Sequence, residues 1–141
     1  MDYSDGINNQ RKGIVGESIV LSLFLKKKYY VYTPAMDGVH EFDFLVMKRV
    51  HPKIKRYKSY LADAKTTSGC KGGYYYVNEK QLNKYFILAK QMKMPFLLMW
   101  VDLSKKVVMY NNIFKVKSKF IKEGDRYKIN SSYLKKFGTF K

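Results

Sequence analysis

Apolar residues recur at helical spacing over residues 8–27, where Ile14, Val15, Ile19, Val20, Leu21, Leu23, Phe24 and Leu25 fall, and the pattern predicts an amphipathic helix. A β-prone run over 29–33 follows and stops at Pro34. Residues 42–50, rich in Phe, Val and Leu, predict a strand, 51–56 a basic turn holding Pro52, and 59–67 a second strand, so the two form a hairpin. The stretch Ser68-Gly69-Cys70-Lys71-Gly72-Gly73 predicts a loop, and 74–77 a short strand. Asn78 opens a second helix. Gln81 stands three residues on, at capping-box spacing, and Leu82, Tyr85, Phe86 and Ala89 follow at helical intervals until Met94-Pro95. Residues 96–101 and 107–110 are apolar strands about a turn at 102–106, while 111–141 is basic and aromatic and carries no clear period. The order α-β-β-β-β-α-β-β predicts an α/β domain, a mixed sheet with a helix on each side. With no repeat, low-complexity block or linker, residues 1–141 read as a single domain, its core over about 8–110 and a C-terminal extension over about 111–141.

Charge changes the picture more than length does. There are 28 Lys+Arg against 11 Asp+Glu, a net of +17, which calls for a polyanionic partner, nucleic acid or an acidic membrane. Aromatic residues at 16% exclude a disordered basic tail. The basic side is 24 Lys and only 4 Arg, which favours phosphate contact over reading of base edges. One cysteine, Cys70, excludes an internal disulfide and a multi-cysteine zinc site and fits a reducing compartment. The polar N-terminus lacks a signal peptide's apolar run, and no apolar stretch is long enough to span a bilayer, so a cytoplasmic protein is expected.

With so few acids, those inside apolar elements stand out. Glu17 shares a helix face with Gly13, Val20, Leu21 and Phe24. Asp43 sits between Phe42 and Phe44, where a strand interior disfavours aspartate. In Leu61-Ala62-Asp63-Ala64-Lys65-Thr66, alternation places Leu61, Asp63 and Lys65 on one face and Ala62, Ala64 and Thr66 on the other. If the strands over 42–50 and 59–67 pair, Asp43 and Asp63 converge beside Lys65. Two carboxylates suit a hard cation, Mg²⁺ with Mn²⁺ as substitute, with Glu17 as a further ligand directly or through water. Such a metal lowers the pKa of a bound water, and Lys65 can orient that water and stabilise charge on the phosphate. Asp37 and Glu41 are alternatives for the second acid. His40 and His51 lack a nucleophile or metal partner and read as loop residues, and Cys70 reads as a free loop thiol. The loop over 68–73 does not fit a Walker phosphate loop, but its glycines permit close approach to a DNA backbone. Lys71 in that loop and Lys12 at the start of the first helix join the candidate nucleic-acid contacts.

The sequence resembles the PD-(D/E)xK, restriction-endonuclease-like, nuclease superfamily. The matching motifs are Gly13-Ile14-Val15-Gly16-Glu17, Asp43 in Glu41-Phe42-Asp43-Phe44, and Asp63-Ala64-Lys65. The helix motif Gln81-Leu82-Asn83-Lys84-Tyr85 is similar to that of the RecB-like branch. The likeness covers about 8–110 and is greatest to archaeal-type Holliday junction resolvases, while 34–44 is also similar to intron-associated homing endonucleases. It departs from the pattern at Phe42, where a proline is common, and at Asp63, where glutamate is commoner. The resemblance implies a central mixed β-sheet flanked by helices in the order α-β-β-β-α-β. It also implies Mg²⁺-dependent DNA cleavage, with Glu17, Asp43, Asp63 and Lys65 catalytic and Glu17, Asp43 and Asp63 at the metal. Gln81 and Tyr85 would contact the phosphate beside the scissile one, near a helix N-terminus that favours anions.

Three functions compete on these residues. A metal-dependent, structure-selective DNA endonuclease uses every acid named. A non-catalytic nucleic-acid-binding protein has no use for acids in apolar settings. A lipid-surface protein would want a basic amphipathic helix, and the first helix gathers its lysines only at its end, Lys26–Lys28. A sequence-specific homing or restriction-type enzyme is a variant of the first. Cutting both strands takes two active sites, so a homodimer on DNA is expected.

Overall fold

The computed structural model describes residues 3–34, 41–50, 53 and 56–141, with side chains from Arg11 onward. The elements are α1 (Tyr3–Lys26), β1 (Tyr30–Tyr32), β2 (Phe44–Arg49), β3 (Tyr57–Thr67), β4 (Tyr74–Asn78), α2 (Glu79–Met92), β5 (Phe96–Asp102), β6 (Val107–Asn112), β7 (Ile121–Glu123), β8 (Arg126–Asn130) and β9 (Lys135–Thr139). Single 3-10 turns, Lys117–Lys119 and Ser131–Tyr133, link the last of these. Six strands form one sheet in the order β1-β2-β3-β5-β6-β9, and β4-β8-β7 form a second. All pairs are antiparallel except β3 with β5, which α2 connects as a crossover. No helix among the described residues is long and apolar enough to cross a membrane.

β5 explains the layering. All seven of its residues, Phe-Leu-Leu-Met-Trp-Val-Asp, are buried, as expected of a central strand covered on both faces. On one face Leu97, Met99 and Val101 pack with Val20 and Phe24 of α1 and with Phe44, Val46 and Ala62. On the other, Phe96, Leu98 and Trp100 pack with Leu82, Tyr85 and Ala89 of α2 and with Tyr75, Val77 and Ile129 of the second sheet. Asp102, fully buried at the end of β5, accepts from the Tyr75 hydroxyl at 2.7 Å and from Lys105 N–H at 2.9 Å, so each of its carboxyl oxygens has a donor.

Several sequence expectations shift. The first helix begins at Tyr3 rather than near residue 8, because the polar first turns have no apolar stripe to show it. Asp43 lies one residue before β2 rather than inside it, although its N–H still bonds the Ala62 carbonyl at 3.1 Å. β4 belongs to the second sheet, not the central one, and the extension supplies β7, β8 and β9. The glycines of the 68–73 loop serve its own geometry. Gly72 and Gly73 hold φ of 60° and 84° in a tight turn closed by paired Lys71–Tyr74 backbone bonds of 3.1 Å. Asp37, His40 and His51 lie outside the described residues.

Candidate active site

β3 carries the centre of the site. Its alternation turns Leu61, Asp63 and Lys65 toward α2, and Leu61 fixes that face by joining the core beneath the helix. Asp63 pairs with Leu98 of the central strand and is 7% exposed. Its Oδ2 takes two partners: the Tyr85 hydroxyl donates to it, and Lys65 Nζ lies 3.2 Å away. Antiparallel pairing of β2 with β3, Phe44 opposite Ala62, brings Asp43 alongside. Asp43 Oδ2 accepts from the Ala64 N–H at 2.8 Å, and its carboxyl group lines the same cleft as that of Asp63.

Helix α1 delivers Glu17 through a close approach to β3. A Cβ on Gly16 would lie 1.8 Å from Thr66 Oγ1, so only glycine lets the helix sit at this depth. The next residue, Glu17, then lines the cleft with Asp43. Helix α2 forms the opposite wall. Asn78 caps it, its side chain accepting from Lys80 N–H at 2.9 Å and Gln81 N–H at 3.4 Å, while Glu79 N–H bonds the Asp125 carbonyl at 3.0 Å. Gln81, Lys84 and Tyr85, spaced i, i+3, i+4, line the cleft, and the Tyr85 ring stacks on Phe96 at 4.4 Å.

The result is a cleft of 320 Å³ holding four carboxylates, Glu17, Glu41, Asp43 and Asp63, with Lys65, Lys84, Gln81 and Tyr85. Burial pushes Asp63 up to about 7; Lys65 opposes the shift and Asp43 adds to it. Burial also raises Asp43, against the hydrogen bonds it accepts. The Tyr85 phenol is held protonated, first by burial and then by the Asp63 charge.

Of the expected residues, the cleft gathers Glu17, Asp43, Asp63, Lys65, Gln81 and Tyr85. Asp43 stands between the other two acids. Among the described residues no three His, Cys, Asp or Glu side chains close around one point that could hold a metal ion. The Tyr85 ring packs in the core and its hydroxyl donates to Asp63 at the cleft. The first N–H groups of α2, expected to face a phosphate, are occupied by Asn78 and Asp125. Lys12 bonds Ser68 Oγ at 2.6 Å, and Lys71 lies in its exposed turn; neither lines the cleft. Sequence reasoning passed over Lys84, which its place on the Gln81–Tyr85 face could have signalled, and left Glu41 as an alternative although it lines the cleft.

No protein-family model matches the sequence, and comparison with curated proteins finds no relative. Solved structures do resemble it. Hjc of Archaeoglobus fulgidus, a Holliday junction resolvase from an archaeal hyperthermophile, superposes with a TM-score of 0.61 at 12% identity, over 86% of this chain and 85% of its own. D212, a nuclease from a fusselovirus, superposes with a TM-score of 0.50 at 14% identity, over 89% of this chain and 86% of its own. At these identities the likeness is one of fold. The chain has the restriction-endonuclease-like fold, a central mixed sheet with a helix on each face.

Proposed function

We propose that this protein is a metal-dependent DNA endonuclease that hydrolyses phosphodiester bonds in the cleft, selecting its substrate by shape as a junction resolvase does. One observation carries the reading: Asp43, held by the Ala64 N–H, and Asp63, paired with Lys65, line one cleft in a chain of net charge +17. Among its structural neighbours, one is named a Holliday junction resolvase and another a nuclease, which supports the same class.

The donor set fits a hard divalent cation. Mg²⁺ uses one or two carboxylates and completes its shell with water and phosphate oxygens, so Asp43 and Asp63 suffice as direct ligands, with Glu17 acting through water. Mn²⁺ would substitute. Such a cation makes water more acidic and draws charge from a phosphoryl oxygen. Lys65 orients the attacking water and offsets charge developing on the phosphate. Tyr85 holds Asp63 in place, while Gln81 and Lys84 bind the phosphate beside the scissile one. Lys12 and Lys71 contact the DNA backbone further out. Cleavage of both strands takes two clefts, so the expected species is a two-fold dimer, about twice 16.7 kDa by sedimentation.

The test is cleavage of linear, circular, single-stranded and four-way DNA with Mg²⁺ or Mn²⁺. Asp43→Asn and Asp63→Asn should each abolish cleavage and leave binding intact or tighter, because each removes negative charge near phosphate. Lys65→Ala should lower rate far more than affinity, and Glu17→Gln should give a milder loss than either aspartate change. A second reading, a nucleic-acid-binding protein without catalysis, is favoured by the lack of three converging acids among the described residues. Binding without cleavage of any of these substrates by the wild-type chain would establish it.

A further inference from the structure

The β2–β3 hairpin outruns the sheet that carries it. β5 joins β3 only from Leu61 onward, and β1 joins β2 only as far as Met47. Beyond those limits the ribbon continues through Lys48 opposite Lys58 and Arg49 opposite Tyr57. Val50 N–H then bonds the Arg56 carbonyl at 2.8 Å. Among the described residues no third strand flanks these last pairs. Between Asp43 and Asp63 the sequence has no acid, and Lys48, Arg49, Lys53, Lys55, Arg56 and Lys58 all fall there.

Each face of the ribbon carries a cation among the described residues. Lys48 and Lys58 extend the row of Val46, Tyr60 and Ala62 on the α1 side, and their Nζ atoms lie over the rings of Tyr29 and Tyr60 at 5.2 and 5.9 Å. Arg49 and Tyr57 extend the row of Leu45 and Leu61, the face that carries Asp63 and Lys65, and the Tyr57 ring meets Tyr30 at 5.8 Å. Like charges directly opposite on paired strands repel. No acid of the hairpin offsets the Lys48–Lys58 pair, so an anionic partner would relieve its repulsion. A ribbon lying flat on a polyanion needs cations on one face only. Cations on both faces suit insertion between two rows of phosphates. The major groove of B-form DNA, about 12 Å wide, admits a two-stranded ribbon, whereas that of an A-form RNA helix is too narrow.

We propose that the β2–β3 hairpin is a second DNA-binding element, which enters the major groove of a duplex flanking the cleft and contacts a phosphate backbone with each face. Its partner being DNA rests on the nuclease reading. Asp63 lies six positions beyond Tyr57 on β3, about 20 Å of strand. The hairpin would therefore hold the duplex roughly that far from the bond that is cut.

Lys48→Glu is the decisive variant, because it turns the repelling pair into an attracting one. It should leave the melting temperature equal or higher while weakening binding to a labelled DNA duplex on the order of tenfold. It should also lower the slope of log affinity against log salt by about 0.9. Lys135→Glu, the same charge change on β9 at the opposite edge of the sheet, should do much less. Loss should be smaller on the corresponding single strand, which has no groove. Equal losses for the two variants, equal losses on duplex and single strand, or no loss for Lys48→Glu would each overturn the proposal. The nuclease reading fails separately: wild-type protein that binds duplex through the hairpin but cleaves nothing with Mg²⁺ would end that reading and leave this one standing. Cleaving protein whose Lys48→Glu variant binds as wild type would do the reverse.

Discussion

Asp63 shows how one buried carboxyl links stability to the chemistry of the cleft. Its folded-state pKa of about 7 lies above the usual carboxylate range, so the folded protein binds a proton that the unfolded chain has released at neutral pH. The linked stabilisation is fully present below about pH 4 and is lost as pH rises through about 7. The metal-free protein should therefore melt at a lower temperature at pH 8 than at pH 5 on account of this group. Asp63→Asn should flatten that difference, and Mg²⁺ should raise the melting temperature at pH 8 in the wild type by offsetting the buried carboxylate charge. A wild-type profile that Asp63→Asn leaves unchanged would show that the carboxyl is already ionised. Tyr85→Phe belongs to the same experiment. The phenol's hydrogen bond favours the ionised carboxylate, so its loss should move the rising limb of cleavage against pH upward, while the ring keeps its stack on Phe96. Simple alternation along the strand was enough to place Asp63 and Lys65 together. The partner of the Tyr85 hydroxyl was not legible, because it depends on how far α2 stands from β3.

At the scale of elements, the fit of α1 against β3 sets the reach of Glu17. Gly16→Ala puts a methyl group into Thr66 and should push the helix outward, lowering both melting temperature and cleavage rate. Gly13→Ala is the control. Nothing lies within 4 Å of the added methyl, so alanine's better helix propensity, about 1 kcal/mol, should leave stability equal or higher. Gly16→Ala combined with Thr66→Ala should recover part of the loss, and failure to do so would place the clash elsewhere. The sequence motif of Gly13 to Glu17 did not reveal which glycine the packing needs. Long elements with a strong pattern were readable, β5 most of all, since its apolar run is continuous. The strands of the extension were not. β7 has no buried residue, β8 only Ile129 and β9 only Phe137, too little for a period to show. β8 and β9 are strands because β4 and β6 offer them edges, and β7 because β8 does.

Across the whole molecule, the placement of the acids shapes the field that a nucleic acid meets. Leaving aside Asp2, Asp5 and Asp37, eight of the 11 acids have described side chains. Four line the cleft, Asp102 is buried, and Glu79, Glu123 and Asp125 gather where β7 turns into β8. There Glu79 pairs with Lys122, and Glu123 with Arg126 and Lys128, at 2.9–3.2 Å. Much of the remaining charged surface is lysine, a compact charge that holds phosphate without reading bases. Affinity for duplex DNA should fall steeply with salt, log affinity losing about 0.9 for each phosphate contacted per tenfold rise in salt. The cleft acids work against binding, so Asp43→Asn and Asp63→Asn should bind at least as tightly as the wild type at every salt concentration. Changing the base sequence of a substrate of fixed shape should alter affinity and cleavage less than changing its shape, from linear duplex to four-way junction, at fixed sequence. Binding titrations across salt, repeated on a set of such substrates, measure all three effects. A shallow salt slope would mean that the charge is not the basis of binding, and a sharp preference for one sequence at constant shape would move the comparison to homing and restriction enzymes.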